Sequence, residues 1–200
     1  MASNFLPQRP DSPAEMAAVY DATVGAANSL VWQAHDVFSQ LVMPNWGTAK
    51  HGYDRILYGV VMNIMAIVDR LSSYIHPTTS KQTDRMRLTV QALGAGELEA
   101  RIVIQLWRHT LMHTGTPMSI IVDGRPYSYL LHWGEPHLPT NEHLKLVPQH
   151  APQVLNFGAI PAAENLLALA SSHFAEWMAS DMKIAEIVGI EVQMRQRQSC

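Results

Sequence analysis

Apolar residues recur every three or four positions through most of this 200-residue chain. This spacing favours helices that pack through their apolar faces, and it restricts the possible folds more than any other feature. The first helix has the clearest start, because Ser12 can cap it, Pro13 suits its first turn and Glu15 completes a capping box. We expect this helix to run to about Val42 and to end at Pro44-Asn45-Trp46-Gly47.

The same pattern predicts four further helices. Thr48 can cap the second, whose middle is apolar nearly all round and which should therefore be the central, most buried helix. Glycine and proline separate the others, at Gly94-Ala95-Gly96 and at Gly115 and Pro117, and Pro161 suits the start of the last one. The predicted spans are residues 49–75, 81–93, 97–113 and 161 to about 195.

The composition changes between the fourth helix and the last. Alternating apolar residues flank Asp123-Gly124, which is typical of a β-hairpin with strands over 119–122 and 127–133. Short extended pieces are expected over 143–147 and 153–157, in a stretch that is otherwise rich in proline and histidine. This segment is too small for a core of its own, so we expect it to lie over the helices.

These observations predict a mainly α fold, an up-down bundle of four to five helices with a small β-hairpin and extended insertion after the fourth helix. We expect a single domain over residues 1–200, with the bundle formed by 11–115 and 161–195 and the insertion by 116–160.

Composition limits the partners. Charged residues make up only 16% of the chain, so part of the surface is expected to be buried in a homodimer. The net charge of -3 argues against non-specific binding to long nucleic acid but leaves room for a local basic cleft. A single cysteine, no apolar leader and an apolar run over 56–68 that is too short for a bilayer favour a cytoplasmic protein without a membrane anchor.

The end of the fourth helix carries the residues best suited to chemistry. Arg108 and His113 are five positions apart, which turns them by about 140° on a regular helix. They converge if the helix frays before Gly115 or if two chains join their sites. A guanidinium holds phosphate with two parallel hydrogen bonds, and an imidazole moves protons near neutral pH. Together they would suffice for metal-free RNA cleavage by the ribose 2′-hydroxyl, without a cofactor.

The run Arg108-His109-Thr110-Leu111-Met112-His113 resembles the Arg-polar-x-x-x-His signature of HEPN domains. These are small helical bundles, often dimeric. Many are metal-independent endoribonucleases of toxin–antitoxin and other defence systems, and others are inactive binding modules. The late position of the motif in its helix and the helix order are similar too. The resemblance implies catalytic roles for Arg108 and His113, a supporting role for His109, and RNA, a nucleotide or an antitoxin as partner.

Three more residues are candidates for substrate binding. Glu97, Arg101, Gln105 and Arg108 follow each other at steps of four, four and three, so Arg101 and Gln105 share one polar stripe with the motif arginine. We expect these two residues to line a cleft beside Arg108. Asp36, in the first helix, could pair with Arg108 or orient a histidine.

Two alternatives remain open. Arg108 can instead pair with Glu97 or Glu99, and His113 can simply complete the last helical turn. His109 and His113 also have the spacing of two metal ligands on one helical face, although the glutamate of the zinc-peptidase pattern is absent. A third ligand would then come from His132, His137, His143 or His150.

Overall fold

The structure, a computed structural model, is mainly helical and contains a small mixed sheet. It describes residues 12–45, 53–106, 120–134, 142–147 and 152–179.

The first helical segment begins and ends where the sequence predicts. Helix α1 (Pro13–Tyr20) is capped by Ser12, whose hydroxyl oxygen accepts the Glu15 N–H at 3.2 Å. Helix α2 (Ala26–Val37) follows, and a 3₁₀ turn over Met43–Asn45 ends the segment. The apolar spacing does not predict the two π-helical turns, which cover Asp21–Gly25 and Phe38–Val42.

Four more helices follow: α3 (Tyr53–Ile75), α4 (Gln82–Ala92), α5 (Glu97–Val103) and α6 (Ala159–Ala179). Helix α4 ends at Gly94, whose φ of 105° is the left-handed conformation expected after a helix. Helix α6 begins two residues before Pro161. Both α2 and α3 pack against α6, and α4 packs against α3 and α5. The predicted starts and ends over 46–52, 107–119 and 180–200 lie outside the described residues.

Helix α3 is buried on one side only. Val61, Val68 and Leu71 are fully buried in the core, whereas Asn63 and Ala66 lie on an exposed strip. Helix α3 also packs against α2, α4 and α6, which is the central position that the sequence predicts, although the apolar spacing does not predict the exposed strip. The segment Ile56–Ile75 is long and apolar enough to cross a membrane by length and composition, a property that core helices of soluble proteins share.

The predicted hairpin is confirmed. Strand β1 (Ile120–Val122) pairs antiparallel with β2 (Arg125–His132). Asp123 and Gly124 join them with φ angles of 50° and 75°, the left-handed pair that a tight two-residue hairpin turn requires.

The two predicted extended pieces are strands as well. Strand β3 (Leu146–Val147) pairs antiparallel with β4 (Gln153–Gly158), and β4 pairs parallel with β2, which gives the order β1-β2-β4-β3. Tyr127, Leu155 and Phe157 point from the sheet into the same core as the helical residues. The described residues of this segment therefore share the core of the helices.

A close backbone approach joins the sheet to α6. The Ile160 N–H donates to the Trp133 carbonyl oxygen at 2.8 Å, immediately before Gly134. Gly134 has a φ of 136°, and a Cβ atom there would lie 2.9 Å from the Cδ of Pro161. Only glycine meets both requirements without strain.

We expect Gly134→Ala to lower the free energy of unfolding by about 1–3 kcal/mol, because the methyl group meets Pro161 and the backbone is strained. Urea unfolding followed by circular dichroism measures the change. Gly59→Ala is the matched control: Gly59 lies inside α3 with open space around its Cβ position, so that variant should gain about 0.4–1 kcal/mol. Equal stability of Gly134→Ala and the wild type would contradict the close approach.

Candidate functional site

A polar cleft of about 350 Å³ lies between helices α4 and α5. The first turns of α4 supply polar side chains to one wall of the cleft, and α5 with the two residues after it supplies the opposite wall. Ile104, only 3% exposed, supplies an apolar surface on that wall. The lining residues are Thr83, Asp84, Arg87, Arg101, Ile104 and Gln105.

Arg101 holds the hairpin turn against α5. Its Nη1 and Nη2 atoms donate to the two carboxylate oxygens of Asp123 at 2.8 and 2.9 Å, which is the parallel two-bond geometry of a guanidinium on a planar anion. The hydrogen bond raises the pKa of Arg101 and lowers the pKa of Asp123, so both groups stay charged near neutral pH. Both side chains are substantially exposed, so the pair contributes little to stability.

Arg87 occupies the other wall of the cleft. Its Nη1 donates to Glu97 at the start of α5, and Asp84 lies 4.0 Å away on its own helix. Gln91 donates to the second oxygen of Glu97 at 2.7 Å, so this carboxylate is held from two sides. The arrangement fixes the spacing between α4 and α5 at the cleft.

The charges around the cleft nearly cancel. Among the described residues that line or border the cleft, Arg87 and Arg101 are cations, and Asp84, Glu97 and Asp123 are the carboxylates beside them. The charges of these described residues give the cleft no positive field that would attract an anion from a distance. An anionic ligand would have to take the place of a carboxylate at one or both arginines.

The structure brings two of the predicted site residues together. Arg101 and Gln105 both line the cleft, as their spacing on one helical stripe predicts. The helix continues in π geometry over 104–106, and the structure describes it no further. Arg108, His109 and His113 lie outside the described residues.

Asp36 is not among the cleft residues. It is exposed on α2, and its carbonyl oxygen accepts the Ser39 hydroxyl at 3.3 Å. Its neighbour His35 bonds Glu164 of α6 through Nε2 at 2.9 Å. The structure thus gives the neighbouring histidine an inter-helix contact and leaves Asp36 on the surface.

The sequence patterns do not predict four residues of the site: Arg87, Thr83 and Asp84 on α4 and Asp123 on the hairpin turn. Each comes from an element other than the motif helix, so no spacing along one helix can find it. The one available signal is composition, since α4 carries two arginines and an aspartate within four residues.

The metal site proposed on His109 and His113 has no support from the described residues. Within the part of the chain that the structure describes, no group of three or more His, Cys, Asp or Glu residues could hold a metal ion. His132 lies on β2, His143 is buried beside β4, and His137 and His150 lie outside the described residues together with the motif histidines.

His143 has a structural contact. Its Nδ1 accepts the Gly158 N–H at 3.0 Å, so the neutral ring carries its proton on Nε2. The ring packs edge-on against Phe157, with centroids 5.4 Å apart. Burial, and then the charge of Lys145, lower the pKa of His143 from 6.5 to about 4.

The comparisons with known proteins show no relative. No protein family model, no curated protein and no solved structure matches this chain.

We expect acid to destabilise the fold through His143. The unfolded chain takes up this proton near pH 6.5 and the folded one near pH 4, so stability falls as the pH drops between these values, by up to about 3 kcal/mol. His143→Asn keeps an acceptor near the Nδ1 position and removes the titration. Urea unfolding at pH 7.5 and pH 4 should show a smaller loss for this variant.

Burial also lowers the pKa of His76 and His173, and these residues contribute equally to both proteins in that comparison. The difference between the two curves therefore isolates His143. Parallel curves would show that the buried imidazole is not the source.

Proposed function

We propose that this chain is a metal-independent endoribonuclease of HEPN type that works as a homodimer in the cytoplasm. The support is the Arg108-to-His113 motif together with one structural observation. Arg101 of α5 and Gln105, two residues beyond its end, line the cleft between α4 and α5, and on a regular helix the same stripe would reach Arg108 three residues later. On this proposal, the bundle supplies a helix on which Arg108 and the cleft share one face, and His113 comes to the site from the second subunit.

The proposed reaction needs no ion. The ribose 2′-oxygen attacks the adjacent phosphorus, the bond from phosphorus to the 5′-oxygen breaks, and a 2′,3′-cyclic phosphate and a 5′-hydroxyl result. One His113 takes the 2′-hydroxyl proton, and the His113 of the second subunit gives a proton to the leaving oxygen. Arg108 donates to the phosphate oxygens as charge builds up, and His109 supports it.

A second subunit is part of the proposal. On a regular helix Arg108 and His113 point about 140° apart, so a site assembled from two chains brings the groups together with the least distortion. The low fraction of charged residues supports a buried face. An antitoxin is the proposed protein partner, since an active ribonuclease in a cell requires restraint.

The second candidate is a non-catalytic HEPN-like module that binds a nucleotide or a protein in the same groove. The net charge of -3 and the 16% of charged residues favour it, because a module that binds a protein or a single nucleotide does not need the basic surface that a long RNA requires.

We expect purified protein to cleave single-stranded RNA in the presence of EDTA, leaving 2′,3′-cyclic phosphate ends. Arg108→Ala and His113→Ala should each slow cleavage by about 10²-fold or more, because each removes one positioned donor or proton carrier. Arg70→Ala and His35→Ala are the matched controls, since both residues are exposed on other helices. Gel analysis of a labelled oligonucleotide measures the rates.

Equal cleavage by the wild type and both motif variants would end the catalytic proposal. No turnover, combined with binding that depends on Arg108, would favour the binding module. Activity that EDTA abolishes, in protein that carries a transition metal, would favour a third function, that of a metal-dependent hydrolase with His109 and His113 as ligands.

A further inference from the structure

We propose that the cleft between α4 and α5 is a phosphate-binding subsite, in which Arg87 and Arg101 exchange their carboxylate partners for a phosphate of the bound strand. The strand as ligand rests on the proposed ribonuclease function, whereas the phosphate chemistry rests on the cleft alone.

Asp123 occupies the position that a phosphate would take on Arg101. Its two oxygens accept from Nη1 and Nη2 at 2.8 and 2.9 Å, and two phosphate oxygens accept from a guanidinium in the same manner. The Arg101 and Asp123 side chains are 40% and 66% exposed, so the pair is screened by solvent and easily exchanged.

The cleft offers more than one contact to such a ligand. Arg87 stands on the opposite wall, with a side chain that is 31% exposed, and Thr83 and Gln105 add a hydroxyl and an amide. The volume of about 350 Å³ is within the range of small-ligand pockets.

The exchange makes affinity depend on the carboxylates. Asp123 and Glu97 act as internal competitors, so the resting cleft binds phosphate weakly and releases it readily. Removing the charge at residue 123 should therefore tighten binding. Tighter binding on loss of this carboxylate distinguishes the proposed subsite from a purely structural ion pair. Loss of a structural pair would destabilise the fold and leave the affinity for phosphate unchanged or lower.

Asp123→Asn is well suited to the test. Residue 123 has a φ of 50°, which asparagine adopts readily, and Asn-Gly is a favoured sequence for this hairpin turn. The variant should fold like the wild type, since it changes only the charge and the acceptor strength. Thermal unfolding checks this directly.

The experiment measures binding of a fluorescent 2′-O-methyl oligoribonucleotide by anisotropy, since that strand cannot be cleaved by its own 2′-oxygen. We expect Asp123→Asn to lower the Kd by up to about fivefold. Arg101→Ala or Arg87→Ala should raise the Kd by about fivefold or more. Arg101→Lys should fall between, because it keeps the charge but not the two parallel bonds. Arg101→Ala should also lower the salt slope by about 0.7.

Arg70→Ala, which removes an exposed arginine from α3, is the control for net charge and should bind like the wild type. A nucleoside triphosphate added as competitor distinguishes the source of the phosphate. If it displaces the oligoribonucleotide, and if Asp123→Asn and Arg101→Ala change its affinity in the same directions, the ligand is a free nucleotide. If it does not displace the oligoribonucleotide, the ligand is a strand. Unchanged or weaker binding in Asp123→Asn, or equal losses in Arg70→Ala and Arg101→Ala, would overturn the subsite.

Different measurements test the ribonuclease activity and the phosphate subsite, so either can be wrong without the other. If wild-type protein cleaves RNA but the cleft variants bind like the wild type, the ribonuclease stands and the subsite is wrong. If the cleft variants change binding as expected but no cleavage occurs, the subsite stands and the catalytic proposal is wrong.

Discussion

A single apolar core, shared by the inner face of the sheet and the helices, is the constraint on which the rest of the fold depends. Tyr127, Leu155 and Phe157 leave the sheet on the side where the helices pack, so the sheet has one possible orientation. Gly134 permits the chain to pass from β2 close against Pro161. Since the orientation of the sheet determines where the hairpin tip lies, the core also determines the position of Asp123 beside α5.

Local signals in the sequence predicted much of the fold. Ser12 and Glu15 marked the first helix start, and Asp123-Gly124 marked the hairpin, because both depend on the chemistry of a few adjacent residues. The parallel pairing of β2 with β4 was not predictable, since it joins strands that are distant in sequence and has no local signature. The exposed strip on α3 is not predictable for a similar reason: an apolar segment does not reveal which of its faces is exposed to solvent.

Some residues of the candidate site could likewise be predicted from local sequence, and others could not. Arg101 and Gln105 were placed in one cleft by helical spacing alone, a property of one element. Arg87 lines the cleft because α4 packs on α5, and Asp123 contacts Arg101 because the hairpin lies beside α5. Spacing along one helix encodes neither contact. Asp36, proposed as a partner for Arg108, is exposed on α2. The motif from Arg108 to His113 remains a prediction.

Residue 123 performs two tasks whose requirements differ. The turn demands a side chain that tolerates a φ of 50°, and Arg101 demands a carboxylate at that short reach. Asparagine meets the first demand only, and glutamate meets neither in full, because it tolerates left-handed backbone poorly and its longer side chain carries the carboxylate farther from the turn. Any redesign of the hairpin tip for greater rigidity would therefore alter the electrostatics of the helix beside it, so the two properties have to be adjusted jointly.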